Sequence, residues 1–278
     1  MRKRLNKIIK KWGYQLCRTR DTNSVTNEKS EYEYLKNIPR YTEQTVQLLG
    51  DDFKIADSLS FYHSVKEIFD DHIYKFETES TDPVILDCGA NYGSSAVYFK
   101  QLHPQSSLTC VEADPSIFKI LETNLTQRGY DDIRLINRAV SNDSEAIKFH
   151  QEGADAGRAA AIEDGENTIE VPTIHLDDLI DGPVDFLKMD IEGCETEAIC
   201  SSSKLDQVSQ IFIEYHSFKN SEQSLSKLLG KLTECGFRYY IHTQFCSPRP
   251  LTEETLQLGM DLQLNIFALR EDNNQLKY

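Results

Sequence analysis

Acids, glycines and a histidine stand at the ends of apolar runs in this sequence, where they could do chemistry. Val84-Ile85-Leu86 ends in Asp87, and Cys88-Gly89-Ala90-Asn91-Tyr92-Gly93 follows. An aliphatic run, two glycines and then a helix-like segment read as strand, tight turn and helix, which lets backbone approach a ligand closely. The spacing is GxxxG, whereas a dinucleotide turn is GxGxxG, with an extra glycine that admits a pyrophosphate. Asn91 and Tyr92 fill the positions a diphosphate needs open, so a ligand without phosphates is expected. The next apolar run, Leu108-Thr109-Cys110-Val111, ends in Glu112. An acid about 20 residues beyond a glycine turn is placed to accept hydrogen bonds from both hydroxyls of a ribose. Asp87 stands where a carboxylate could meet an ammonium, directly or through water. Turn, ribose acid and the lack of a phosphate cradle describe S-adenosylmethionine better than NAD. Asp114-Pro115 reads as a plain helix cap with proline at the first helical position.

A second group of residues suggests a reaction. Asp190 closes the run Val184–Met189, and Glu214-Tyr215-His216 closes Gln210–Glu214. In a parallel sheet both strand ends open on the same side as the glycine turn. Methyl transfer from a sulfonium is an in-line displacement, and an alcohol acceptor must also lose a proton to a group within hydrogen-bond reach. His216 is the first candidate for that base, since an ordinary imidazole pKa of about 6.5 suits the task. Asp190 is expected to orient the hydroxyl or assist. Alternatively Asp190, Glu214 and His216 are ligands of a divalent cation that acidifies the hydroxyl, or Glu214 and His216 are hydrogen-bonded partners at a strand end. Gly153-Ala154-Asp155-Ala156-Gly157-Arg158 could fold over the cofactor, with Arg158 holding an anionic or sugar-like acceptor.

The elements that must position these groups alternate. Strands are predicted at Val84–Asp87, Ser107–Val111, Ile133–Val140, Val184–Met189, Gln210–Glu214, Phe237–His242 and Leu264–Leu269. Helices are predicted near 93–103, 115–128, 192–203 and 221–234. Short apolar strands separated by helices indicate a mostly parallel sheet covered on both faces. Ala146–His150 and Thr168–Ile174 are expected to pair antiparallel around a polar stretch. Three regions follow from this: residues 1–30, a basic amphipathic helix and polar linker; 31–80, an accessory segment with a strand near Phe53 and a helix from Ser60 to Tyr74; and 81–272, the catalytic domain.

DCGANYG, VEADPSIFKILETNL, Leu176–Leu179 (LDDL), LKMDIEGCE from Leu187 to Glu195, and IFIEYH from Ile211 to His216 resemble the FkbM family of class I methyltransferases. The resemblance covers about residues 84–245, and LKMDIEG is its most specific element. It implies an α/β, Rossmann-like class I fold: a mostly parallel seven-stranded sheet with helices on both faces, here with an N-terminal accessory segment. It also implies S-adenosylmethionine as cofactor and transfer to a hydroxyl oxygen, often of a sugar or polyketide-type natural product. By motif, Asp87, Gly89, Asn91, Gly93 and Glu112 are carried over as cofactor-binding residues, and Asp190 and Glu192 as the acidic pair ending the fourth strand. Ala113 departs from the Glu-Pro that the family commonly shows at this point, without touching the ribose contact.

Composition narrows the partners. Residues 1–20 hold eight of the 30 Lys and Arg and none of the 45 Asp and Glu, so the body that follows is more acidic than the net charge of −15. Such a body binds nucleic acid poorly, because that affinity rests on neutralising phosphates. A small-molecule or saccharide acceptor is expected instead. Leu5, Ile8, Ile9, Trp12 and Leu16 share one face of the basic segment, which could lie on an anionic membrane, dock a protein or pack on its own domain. The seven cysteines form no CxxC pair, and no run of about 18 apolar residues suggests a membrane span. The expected location is the cytoplasm. An NAD-dependent oxidoreductase and a non-catalytic S-adenosylmethionine-binding module are the competing readings.

Overall fold

A computed structural model describes residues 32–142, 146–150, 158–159 and 168–270. The basic segment 1–20 and most of the Gly153–Arg158 stretch lie outside them. In chain order the elements are β1 (Gln44–Leu48), β2 (Asp51–Ile55), α1 (Ser58–Val65), β3 (Val84–Cys88), α2 (Ser94–Leu102), β4 (Ser107–Glu112), α3 (Pro115–Gln127), β5 (Arg134–Asn137), β6 (Ala139–Val140), β7 (Ala146–His150), β8 (Arg158–Ala159), β9 (Thr168–Ile174), α4 (Leu176–Leu179), β10 (Val184–Met189), α5 (Glu195–Ser201), β11 (Val208–Phe218), α6 (Leu225–Glu234), β12 (Phe237–Cys246) and β13 (Met260–Arg270).

Seven strands form the main sheet in the order β12-β13-β11-β10-β3-β4-β5. β3, β4, β5, β10 and β11 pair in parallel, and β13 runs antiparallel to both β11 and β12. The order reverses between β3 and β10, so their carboxyl ends flank the switch point where open α/β sheets bind ligands. A mostly parallel seven-stranded sheet is what the sequence reading expected; β13 is its one antiparallel strand. Strands β3 and β10 are buried along nearly their whole length, as central parallel strands require. Leu86, Val111, Leu187, Met189, Ile211 and Ile213 form the core with Leu228 and Leu232 from α6.

Helix α3 shows how sequence sets position. Asp114 caps it, accepting the Ser116 backbone N–H at 2.7 Å, and Pro115 occupies the first turn. Its buried residues Ile117, Ile120, Leu121, Asn124 and Leu125 follow the i, i+3, i+4 spacing of a helix face. Asn124, fully buried, accepts the Lys54 N–H at 2.7 Å and donates to the carbonyls of Lys54 and Tyr92, both at 2.9 Å. The β1–β2 hairpin is thus pinned to α3. Further along the accessory segment, Phe76 stacks on Phe186 at 4.6 Å and Tyr74 meets Phe212 edge-on at 4.9 Å. Among the described residues no helix is long and apolar enough to cross a membrane.

Three elements differ from expectation. The helix predicted from Ser60 to Tyr74 stops earlier: α1 widens into a π turn over Lys66–Asp70, closed by Asp71 N–H to the Lys66 carbonyl at 3.0 Å. Such turns recur at functional sites, and this one brings Glu67 and Ile68 to the cavity described below. The strand predicted over 133–140 breaks at Arg138. β5 stays in the main sheet while β6 joins β9, β7 and β8 in a four-stranded sheet, in which β7 and β9 pair antiparallel as expected. Finally, β11 continues past Glu214 to Phe218, which places His216 within a strand opposite Gln263.

Candidate active site

A cavity of about 520 Å³ opens at the carboxyl ends of β3, β4, β10 and β11. Gly89, Asn91, Glu112, Asp190 and Glu214 line it, as do Glu192, Lys188, Glu67, Tyr74, Gln244 and Gln263. Asp87, Gly93 and His216 do not.

The turn after β3 explains both glycines. Gly89 has φ +84°, and a Cβ there would lie 1.7 Å from the carbonyl oxygen of Asp190. The chain at Gly89 therefore rests against the end of β10, and Asp190 N–H completes the contact to the Cys88 carbonyl at 3.1 Å. Gly93 (φ +93°) would place a Cβ 2.8 Å from Leu121, so it lets α2 start close against α3. Between them Asn91 takes φ 48°, and its side chain accepts the Tyr92 N–H at 2.6 Å.

Glu112 ends β4 with both oxygens engaged: Oε2 accepts the Asn91 N–H at 2.9 Å and Oε1 the Asp114 N–H at 2.8 Å. Burial outweighs these donors and pushes its carboxyl up to about 7. Each oxygen retains a lone pair for a further donor.

Asp87 faces inward. It is fully buried, accepts the Ser95 hydroxyl at 2.5 Å through Oδ2, and has the Lys188 ammonium 3.4 Å from Oδ1. Lys188 thus places one ammonium beside the carboxylate for which the sequence reading expected a ligand's ammonium. Burial raises the Asp87 pKa, opposed chiefly by that lysine.

At the ends of β10 and β11, Asp190, Glu192 and Glu214 line the cavity together with Glu67. Burial, then repulsion from Asp190, pushes the Glu214 carboxyl up to about 8; Gln263 donates its amide to Oε1. Glu67 is also raised by burial, against the hydrogen bond from Gln244 at 2.9 Å. His216 sits behind these acids with its side chain 1% exposed. Nδ1 is 3.0 Å from Glu195 Oε1, and Nε2 is 3.5 Å from Glu192 Oε2. Burial opposes its charge, but Glu192, Glu195 and Glu214 outweigh burial and hold its pKa well above the ordinary value. An imidazolium has no lone pair with which to take a proton. Asp190, Glu192 and His216 each offer a ligand atom within 4.8 Å of the others.

Sequence reasoning passed over Lys188, Glu67, Tyr74, Gln244 and Gln263. The lysine carried a signal: an ammonium in the apolar run VDFLKM needs a buried partner. The others come from distant segments and carried none.

Sheet order, glycine turn and strand-end acids define a class I methyltransferase fold. The chain belongs to the FkbM methyltransferase domain family, whose model matches residues 87–239, more than half its length. It is similar to 2-O-methyltransferase NoeI of Sinorhizobium fredii (strain NBRC 101917 / NGR234), 31% identical over 161 residues, covering 49% of this chain and 65% of that protein. Methyltransferase sdnD of Sordaria araneosa is 26% identical over 188 residues, covering 52% of this chain and 73% of that one. A crystal structure of Methyltransferase FkbM from Methylobacillus flagellatus KT superposes with a TM-score of 0.43 at 18% identity, covering 74% of this chain and 50% of that chain.

Proposed function

We propose that this protein transfers the methyl group of S-adenosylmethionine to a hydroxyl oxygen of a small-molecule or saccharide acceptor. One observation carries the reading: Glu112 and the Gly89–Asn91 turn line the same cavity as the carboxyl groups of Asp190 and Glu214. The residues fit the cofactor. Glu112, buried and with a lone pair left on each oxygen, suits paired ribose hydroxyls, and Ile117, Val140 and Ile147 offer apolar walls for an adenine ring. When bound, S-adenosylmethionine supplies an electrophilic methyl group. Asp190 takes the proton of the acceptor hydroxyl as its oxygen forms the new bond, while Glu214, held protonated near neutrality by burial, orients that hydroxyl. His216, expected as the base from its ordinary pKa, serves in this reading as the buried cation that steadies Glu192 and Glu195. The name of the relative NoeI favours oxygen as the methylated atom. Calorimetry with S-adenosylhomocysteine tests the proposal: saturable binding that Glu112→Ala abolishes supports it, and no heat at millimolar ligand refutes it.

A second reading rests on the Asp190, Glu192 and His216 atoms within 4.8 Å of one another. A divalent cation held there would acidify the acceptor hydroxyl. Titration with magnesium, manganese or zinc, followed by calorimetry and thermal shift, would reveal it, and Glu192→Gln should remove the response.

A further inference from the structure

Lys188 is the buried charge that the reaction above leaves unused. It sits in the middle of the main sheet with its side chain 3% exposed, where an unpaired ammonium would cost several kcal/mol. Its surroundings join three segments. Nζ donates to the Gly89 carbonyl at 2.6 Å, lies 3.3 Å from Asp190 Oδ2 and 3.4 Å from Asp87 Oδ1, and faces the Tyr74 ring at 5.6 Å. Lys188 and Asp87 are direct partners in the β10–β3 register, so both project to one side of the sheet. Asp87 is held in turn by Ser95 at the start of α2.

We infer that Lys188 is a positioning residue that ties the cofactor turn to the acceptor-side acid Asp190, with Asp87 as its buried counter-ion. The inference deepens the function proposed above and rests on it. One ammonium bridges a carbonyl of the turn and the Asp190 carboxylate at the end of β10. The backbone contact between Gly89 and Asp190 keeps these two segments together, and the lysine adds a charge that fixes the carboxylate relative to the turn. A shift of the turn upon cofactor binding is therefore felt at Asp190. Asp87 acts through the lysine and does not itself line the cavity.

The test uses S-adenosylhomocysteine and calorimetry, so it needs no acceptor. Lys188→Met should raise Kd about tenfold or more, the size expected for losing hydrogen bonds to a charged group. Lys188→Arg, which keeps charge and donors, should recover most of that affinity; a role in packing alone would not be rescued this way. Asp190→Asn should weaken binding in the parent chain and change nothing further in Lys188→Met. Equal effects of Asp190→Asn in both backgrounds would overturn the inference, as would unchanged Kd in Lys188→Met. Should Lys188→Met strand the Asp87 charge and fail to fold, Lys188→Met/Asp87→Asn removes both charges and serves as the background for the same cycle. If the parent chain binds no S-adenosylhomocysteine, the proposed function falls and takes this inference with it. If the parent binds and the cycle is additive, the inference alone falls.

Discussion

Glu195 Oε1 is shared: it lies 3.0 Å from Nδ1 of His216 and also accepts the backbone N–H groups of Ile191 and Gly193 at 3.2 and 2.9 Å. One carboxylate thus fixes both the loop that presents Asp190 and Glu192 and the imidazolium behind it. That loop is held from behind, by a carboxylate and an imidazolium that do not line the cavity.

His216 should stabilise the fold in a pH-dependent way. Its folded pKa is raised by Glu192 and Glu195 against the cost of burial. The stabilisation is complete below the unfolded value of about 6.5 and is lost as pH rises through the folded value. In scanning calorimetry His216→Gln should therefore melt well below the parent at pH 6, with the gap narrowing towards alkaline pH. A gap that widens with pH would contradict the imidazolium assignment.

Glu214 predicts the reverse comparison. Burial and Asp190 raise its carboxyl to about 8, so folding favours the protonated form and stability is lost as pH rises from the ordinary value of about 4.5 to about 8. Glu214→Gln mimics the protonated side chain. It should match the parent's denaturant midpoint near pH 4 and exceed it by a margin that grows up to about pH 8. Side-chain carboxyl NMR of the parent would locate the titration directly.

Cofactor affinity should rise as pH increases through about 7, where Glu112 loses its proton in the free protein. Ribose hydroxyls donate to the carboxylate, not to the acid. Glu112→Gln should bind S-adenosylhomocysteine about 10-fold to 100-fold more weakly, the loss of a charge-assisted hydrogen bond, and with a flat pH profile. Calorimetry between pH 6 and 8.5 separates these outcomes.

Gly89→Ala should not be tolerated. The added methyl would lie 1.7 Å from the Asp190 carbonyl oxygen, on a backbone at φ +84°. Neither backbone can yield without breaking the β3–β10 pairing, so a loss above about 4 kcal/mol is expected. Soluble yield and denaturant unfolding would register it.

The sheet was legible because central parallel strands must be continuously apolar, and Val84–Leu86 and Leu187–Met189 could be read as such without any neighbour. Glu112 was legible for a related reason, since a strand end two elements past a glycine turn opens on the ligand side. Asp87 shows where one-dimensional reading stops. It stands at a strand end as Glu112 does, yet its register partner is a lysine, and which lysine lies alongside is a property of sheet order. His216 was read from the ordinary chemistry of imidazole, while its behaviour is set by Glu195, which comes from another element 21 residues earlier. Glu67 and Gln244, 177 residues apart, meet only in the folded chain.

Asn124 carries a consequence for how this scaffold can diverge. Its amide copies the edge of a missing strand for Lys54 and grips the Tyr92 carbonyl with the same nitrogen. The hairpin and the Gly89–Gly93 turn therefore share a fastener that neither of them encodes. A chimera that borrows residues 35–80 from a relative must import position 124 with them, or the graft arrives without its latch and loosens the loop it was meant to leave alone.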